Sequence, residues 1–181
     1  MKNITNCHQI TFKGNESKNV TLMKRLICEL GRYLQFDVDV EEPPESELGK
    51  LIMRHDVIWY TKKSKWYDDL INIAYKSAIM EEYKKRLNNK QNINRVLQVA
   101  FEIEGADCLT KSMKGCISNL SKYPNGIIVV RLKGDRKRFE KVLLEFEKLH
   151  GPNNVIIISF DDMYTFARIF NISVENETIS T

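Results

Sequence analysis

The sequence predicts a single α/β domain with a mixed central β-sheet flanked by helices. Three observations carry that expectation. Helical spacing alternates with short strand-like runs along the chain. The later strands are continuous apolar runs, as in parallel strands covered on both faces. The 181 residues suffice for one sizeable core and are too few for two comfortable ones. A hydrophobic share of 43% beside 29% charged residues is ordinary for a globular chain.

Taken in order, "VTLMKRLICELGRYL" sets Leu22, Met23, Leu26, Ile27, Leu30 and Leu34 at helical spacing, with Gly31 weakening the end. "QFDVDVEE" alternates as a strand and stops at Pro43 and Pro44. "LIMRHDVIWY" reads as a second strand, free to pair antiparallel with the first. A long amphipathic helix over about 66–91 follows, its stripe running through Leu70, Ile73, Ala74, Ser77, Ala78, Tyr83 and Leu87. Next come the strand "VLQVAFEIE", a helix over about 109–121, and the strand "GIIVV" behind Pro124 and Asn125. A helix over about 136–149 leads through "HGPNN" to the strand "VIIIS", and "DDMYTFARIF" closes as a helix capped by Asp161 or Asp162. The residues from about 172 to 181 read as a flexible tail.

Several classes are excluded by what the chain lacks. The first residues hold no apolar secretion-signal core and no run reaches membrane-spanning length, so a cytoplasmic protein is expected. Cys7, Cys28, Cys108 and Cys116 form no C-x-x-C pair, which predicts reduced thiols and no structural zinc; Cys108 and Cys116 read as small buried residues. No G-x-G-x-x-G follows a strand, against a dinucleotide-binding domain, and no Ser/His/Asp set or H-E-x-x-H appears. His8 and His150 fall in loop or helix-end contexts.

Charge is unevenly spread. Residues 61–95 carry nine Lys/Arg against four Asp/Glu, and residues 105–150 carry ten against five. Between them lies a strand whose charges are Glu102 and Glu104. A basic surface around an acidic centre suits a polyanion such as a nucleic acid, although solvated helix faces give the same composition.

That acidic strand is the strongest functional signal. In "VAFEIE" strand alternation sets Val99, Phe101 and Ile103 on one face and Ala100, Glu102 and Glu104 on the other. Two carboxylates about 7 Å apart on one strand face repel one another unless a cation or solvent lies between them. Asp56 interrupts an apolar run in the preceding strand. The three carboxylates together can converge on one hard cation, and Mg2+ takes oxygen ligands of this kind for phosphoryl chemistry. His55, one residue before Asp56, should point to the other face as a core or edge histidine.

The words "RHDVIWY" and "VAFEIE", followed by "KSMKGCISNL" and "GIIVV", resemble the core of the PD-(D/E)XK nuclease superfamily, the fold of restriction endonucleases and many repair nucleases. The resemblance implies a metal-dependent DNA endonuclease using Mg2+ or Mn2+, with Asp56 as central metal ligand and Glu102 as the second. Glu29 on the first helix matches an acidic position that can hold a second metal shell. Glu104 stands where most members carry a lysine, and some active restriction enzymes also have Glu there, as base or ligand. Lys111 and Lys114 on the next helix are candidates for a displaced lysine or for phosphate contacts. The basic residues Lys76, Lys84, Lys85, Arg86 and Lys90 of the 66–91 helix would cover the sheet, line a DNA channel or build a homodimer. The alternative reading is an inactive nuclease-fold protein that binds nucleic acid or serves as a subunit of a larger complex.

Overall fold

The structure, a computed structural model, describes residues 7, 10, 17–40, 55–91, 95–105 and 109–172. Its elements run α1 (Lys18–Tyr33), β1 (Asp37–Val40), β2 (Val57–Lys62), α2 (Lys65–Ser77), α3 (Glu81–Gln91), β3 (Arg95–Glu104), α4 (Thr110–Leu120), β4 (Gly126–Val130), α5 (Lys133–His150), β5 (Val155–Ser159) and α6 (Phe160–Ile169). The sheet has five strands in chain order, with β1, β2 and β3 antiparallel and β3, β4 and β5 parallel. This is the mixed α/β sheet that the sequence predicts. Residues 41–54, which include the first part of the expected strand "LIMRHDVIWY", the expected C-terminal tail beyond 172, His8 and Cys108 lie outside the described residues.

Two cores hold the layers together. On one face α1 and α6 bury Met23, Leu26, Ile27 and Met163 against Val57, Trp59, Phe101, Ile103 and Val129. On the other, Met113, Ile117 and Leu120 of α4 and Phe139 and Val142 of α5 pack on Ala100, Ile128 and Val130. The expected alternation of β3 thus holds from Val99 onward. Upstream the register shifts opposite Trp59 and Tyr60, so Leu97 joins Ala100 on the α4 and α5 face. At the far end of the sheet Arg95 of β3 forms two hydrogen bonds to Asp39 of β1, at 3.0 and 2.7 Å, and lies over the Tyr60 ring.

Gly31 does more than weaken a helix. A Cβ built there would lie 2.4 Å from Trp59 Nε1 and 2.7 Å from Val38, so α1 can approach β1 and β2 closely only because this residue has no side chain. Trp59 is held in place by its indole N–H, which donates to the Ile27 carbonyl at 3.2 Å. Gly31→Ala should therefore destabilise the fold by about 1–3 kcal/mol, the usual cost of overpacking a close contact. Urea unfolding reads this as a lower midpoint; an unchanged midpoint would mean that α1 shifts at no cost.

Three expectations are corrected. The helix over 66–91 is two helices: Ala78 is extended, and α2 and α3 pack on each other as a hairpin. A continuous helix would carry the apolar stripe from Ser77 onto Glu81, whereas folding back sets Tyr83 and Leu87 beside Tyr67, Ile71 and Ala74. The Ser77 hydroxyl also donates to the carbonyls of Ile73 and Ala74, bonds that compete at the last turn of α2. The cap of α6 is Ser159, which accepts from the Asp162 N–H, while Asp162 accepts from the Ser159 N–H as the reciprocal member of a capping box. Finally, Cys7 and Cys28 are not reduced thiols; they form a buried disulfide that ties the N-terminal segment to α1. Cys116 is a partly buried thiol outside the disulfide, packed on the α4 and α5 core.

Candidate functional site

β2 begins where its pairing with β3 gives out. Val57 faces Phe101, and the next residue back, Asp56, sits in a bend. Its backbone N–H donates to the Phe101 carbonyl at 3.1 Å. Its Oδ2 accepts from the Ile103 N–H at 2.7 Å, so the side chain satisfies a strand donor that the ladder no longer reaches. The carboxylate is thereby fixed at the fork between the two strands.

The other oxygen of Asp56 meets a cation that the sequence reading did not assign. Lys24 of α1 places Nζ 2.9 Å from Oδ1, with its side chain 5% exposed and that of Asp56 22% exposed. A lysine this deeply buried needs such a partner to keep its charge. Its signal in the sequence is positional: Lys24 stands one turn from Val20, Ile27 and Cys28, inside the stripe that α1 buries.

The bend also changes which side chain Glu102 meets. Unbroken alternation would set Asp56 beside Glu102 on one face; instead His55 turns onto that face, and its Nδ1–H donates to Glu102 Oε1 at 2.5 Å. His55 is buried, as expected of a core histidine opposed to Asp56, but its partnership with Glu102 was not foreseen. Tyr123 closes this side with its ring edge-on to the imidazole.

Burial raises the pKa of Glu102, the His55 hydrogen bond pulls it back, and the charges of Asp56 and Glu104 raise it further. Tyr123 is also pushed up, first by burial and then by the Glu102 charge. For an acid whose folded pKa lies above its unfolded value, ionisation costs stability. The loss sets in as pH climbs from the unfolded toward the folded pKa, and it is complete above the latter. Glu102→Gln should accordingly melt higher than the parent at neutral pH, with the gap closing as pH falls below the carboxyl range. Thermal melts across pH check this; a lower melting point at neutral pH would contradict it.

Glu104, two residues on, is half-buried at the end of β3, where its carbonyl accepts from the Arg131 N–H at 3.0 Å. Arg131 leaves β4 at the same edge, which the N-terminal turns of α1 approach closely: a Cβ on Gly105 would lie 2.7 Å from Val20. Asp56, Glu102 and Glu104 thus gather at the C-terminal edge of the parallel strands, the customary place for ligands in open α/β sheets.

The remaining candidates are dispersed. Glu29 lies five residues from Lys24 on α1, about 140° round the helix at 100° per residue, so it is turned away from the cluster. Lys111 and Lys114 are exposed on α4, whose buried residues are Met113, Ile117 and Leu120. Lys84, Lys85 and Arg86 belong to the α2–α3 hairpin, which joins Lys62 to Arg95. That is the opposite edge of the sheet, a strand length of about 20 Å from the carboxylates.

Among the described residues no group of three His, Cys, Asp or Glu side chains is disposed to hold one ion. The bend explains this, because it commits Asp56 to Lys24 and Ile103 and leaves Glu102 to His55. The charges of both Asp56 and Glu104 still reach Glu102. Among the described residues no helix is long and apolar enough to cross a membrane. Comparison with protein-family models, with curated proteins and with solved structures finds no match to this chain.

Proposed function

We propose that this protein is a metal-dependent endonuclease that hydrolyses phosphodiester bonds in DNA. The observation that carries the reading is the nearness of Asp56 and Glu102 at the β2–β3 fork, where the charge of Asp56 reaches Glu102 and the buried Lys24 ammonium sits on Asp56. The order of elements around them, a helix, two antiparallel strands, the α2–α3 hairpin, a third antiparallel strand, then a helix and a parallel strand, supports the resemblance carried by "RHDVIWY" and "VAFEIE".

The donors fit a hard cation. Both are carboxylates, they repel one another, and Mg2+ commonly takes one or two carboxylates and keeps waters for its other positions. Asp56 and Glu102 would hold Mg2+ or Mn2+, which when bound polarises a phosphate and acidifies a water. The chain's own groups then divide the remaining work. Ile103 N–H and His55 Nδ1–H orient the two carboxylates. Glu104 is the general base, receiving a proton from the attacking water. Lys24 supplies the ammonium that the E-x-E strand lacks, set beside Asp56 to stabilise charge developing on the phosphate. Arg131, Lys111 and Lys114 offer exposed cationic contacts to the DNA backbone. Its place would be the cytoplasm, working as a homodimer on duplex DNA; there the Cys7–Cys28 bridge would be open to reduction.

One observation favours a second reading. Lys24 already balances Asp56, as a purely structural ion pair would in a nuclease-fold protein that binds DNA without cutting it. Mn2+ titration followed by calorimetry separates the two. The enzyme reading expects a binding isotherm that Asp56→Asn removes, whereas an absence of heat with DNA binding retained would favour the second. Glu104→Gln should lower cleavage about 100-fold or more with Mn2+ binding retained, the usual weight of a general base; parental rates would take that role from Glu104.

A further inference from the structure

We infer that the α2–α3 hairpin is a self-association surface, on which a second copy of this chain docks α3 against α3 about a two-fold axis. This deepens the homodimer of the preceding reading by naming its interface, and its test involves neither DNA nor cleavage.

The hairpin is poorly covered by the rest of the protein. Among the described helices and strands, α2 and α3 pack chiefly on each other. Their buried side chains among the described residues are Ile71 and Leu87. Apolar residues meanwhile face water: Ile79 is 95% exposed, Met80 65% and Trp66 64%, with Leu70, Ile73 and Tyr83 exposed beside them. The sequence spaces Leu70 and Ile73 as if to cover a sheet, yet both are exposed, and among the described elements α2 packs chiefly on α3. Contiguous apolar exposure of this kind on a small domain marks an interaction surface.

Charge says which partner fits. A groove of about 470 Å³ runs along α3, lined by Met80, Glu82, Tyr83, Lys85, Arg86 and Asn89. The acidic pair Glu81 and Glu82 opens the helix, and Lys84, Lys85 and Arg86 follow within the next turn. A uniform polyanion would be repelled by one end of this face. An antiparallel copy is complementary to both ends. Centring the pair between Tyr83 and Lys84 sets Glu82 against the partner's Lys85, and Glu81, which also pairs with its own Lys84, against the partner's Arg86. In an isologous contact each of these pairs occurs twice. Met80 would then enter the apolar cleft between α2 and α3 that Tyr83, Arg86 and Leu87 border. The hairpin leaves the sheet at the edge opposite Asp56 and Glu102, so this pairing covers neither carboxylate cluster.

Because both members of each ion pair lie in one chain, a charge swap gives a clean test. Sedimentation equilibrium of the full-length protein should show a dimer. Glu82→Lys should weaken it roughly 10- to 100-fold, since it sets like charges across the axis twice. The double variant Glu82→Lys with Lys85→Glu should restore it, a recovery that a merely misfolded variant cannot show. Both positions are exposed, and circular dichroism confirms the fold of each variant. A monomeric parent at 100-fold the concentration of the assay, an unchanged dimer in Glu82→Lys, or a double variant no better than the single would each overturn the proposal.

Discussion

Asp56→Ala should bind DNA as well as the parent, or more tightly, yet cut it at least about 1000-fold more slowly. The rate falls because the variant loses a carboxylate fixed by the Ile103 N–H and leaves Lys24 without its counter-charge. Losing one preorganised electrostatic group typically costs 100- to 1000-fold, and here the metal site and the Lys24 position are disturbed together. Binding survives because removing a negative charge lessens repulsion of the phosphates. Single-turnover cleavage and a binding isotherm at fixed salt read the two effects separately. Cleavage within 10-fold of the parental rate would take Asp56 out of the reaction.

Lys24→Met should lower the unfolding free energy by about 3 kcal/mol. The new side chain fills the buried space, so packing is nearly conserved. What is lost is the partner of a half-buried carboxylate, and breaking a buried pair from one side leaves the other charge uncompensated. Adding Asp56→Asn should recover part of that loss, since the amide oxygen can still accept from the Ile103 N–H. Denaturant unfolding of the two single variants and the double gives the coupling directly. Additive losses would show that the pair contributes nothing beyond its separate members. Cleavage by Lys24→Met should fall about 100-fold under folding conditions.

The strands were the most legible part of the fold. "GIIVV" and "VIIIS" are continuous apolar runs, and both are parallel strands at the positions expected, β4 mostly buried and β5 at the sheet edge with Ile156 exposed. Legibility ended wherever a distant contact decided the outcome. No glycine or proline marks the break at Ala78; it follows from the second stripe that α2 and α3 offer each other. The Cys7–Cys28 bond joins residues 21 apart through packing that no local spacing announces. The cap of α6 was misplaced by two or three residues because Asp162 belongs to the capping box without being the cap itself.

At the site, residue types were easier to read than directions. Glu102 and Glu104 share the end of β3 as alternation requires, and Asp56 reaches the same edge. The bend at Asp56 then reverses the faces of His55 and Asp56 relative to a straight strand, which strand periodicity cannot foresee. The sequence points to α4, next after the acidic strand, for a lysine near the carboxylates; the buried lysine beside Asp56 is instead Lys24 of α1, a charge in the middle of an apolar stripe, which is a placement that calls for a buried partner.

The most direct measurement is incubation of the purified full-length protein with supercoiled plasmid in Mg2+ or Mn2+, with EDTA and the Asp56→Ala, Glu102→Ala double variant as controls. The account predicts nicked or linear product that appears only with metal and only with the parental protein. Plasmid left supercoiled by a folded protein that binds it, or product formed equally by the double variant, would contradict the assignment of these carboxylates to phosphodiester hydrolysis.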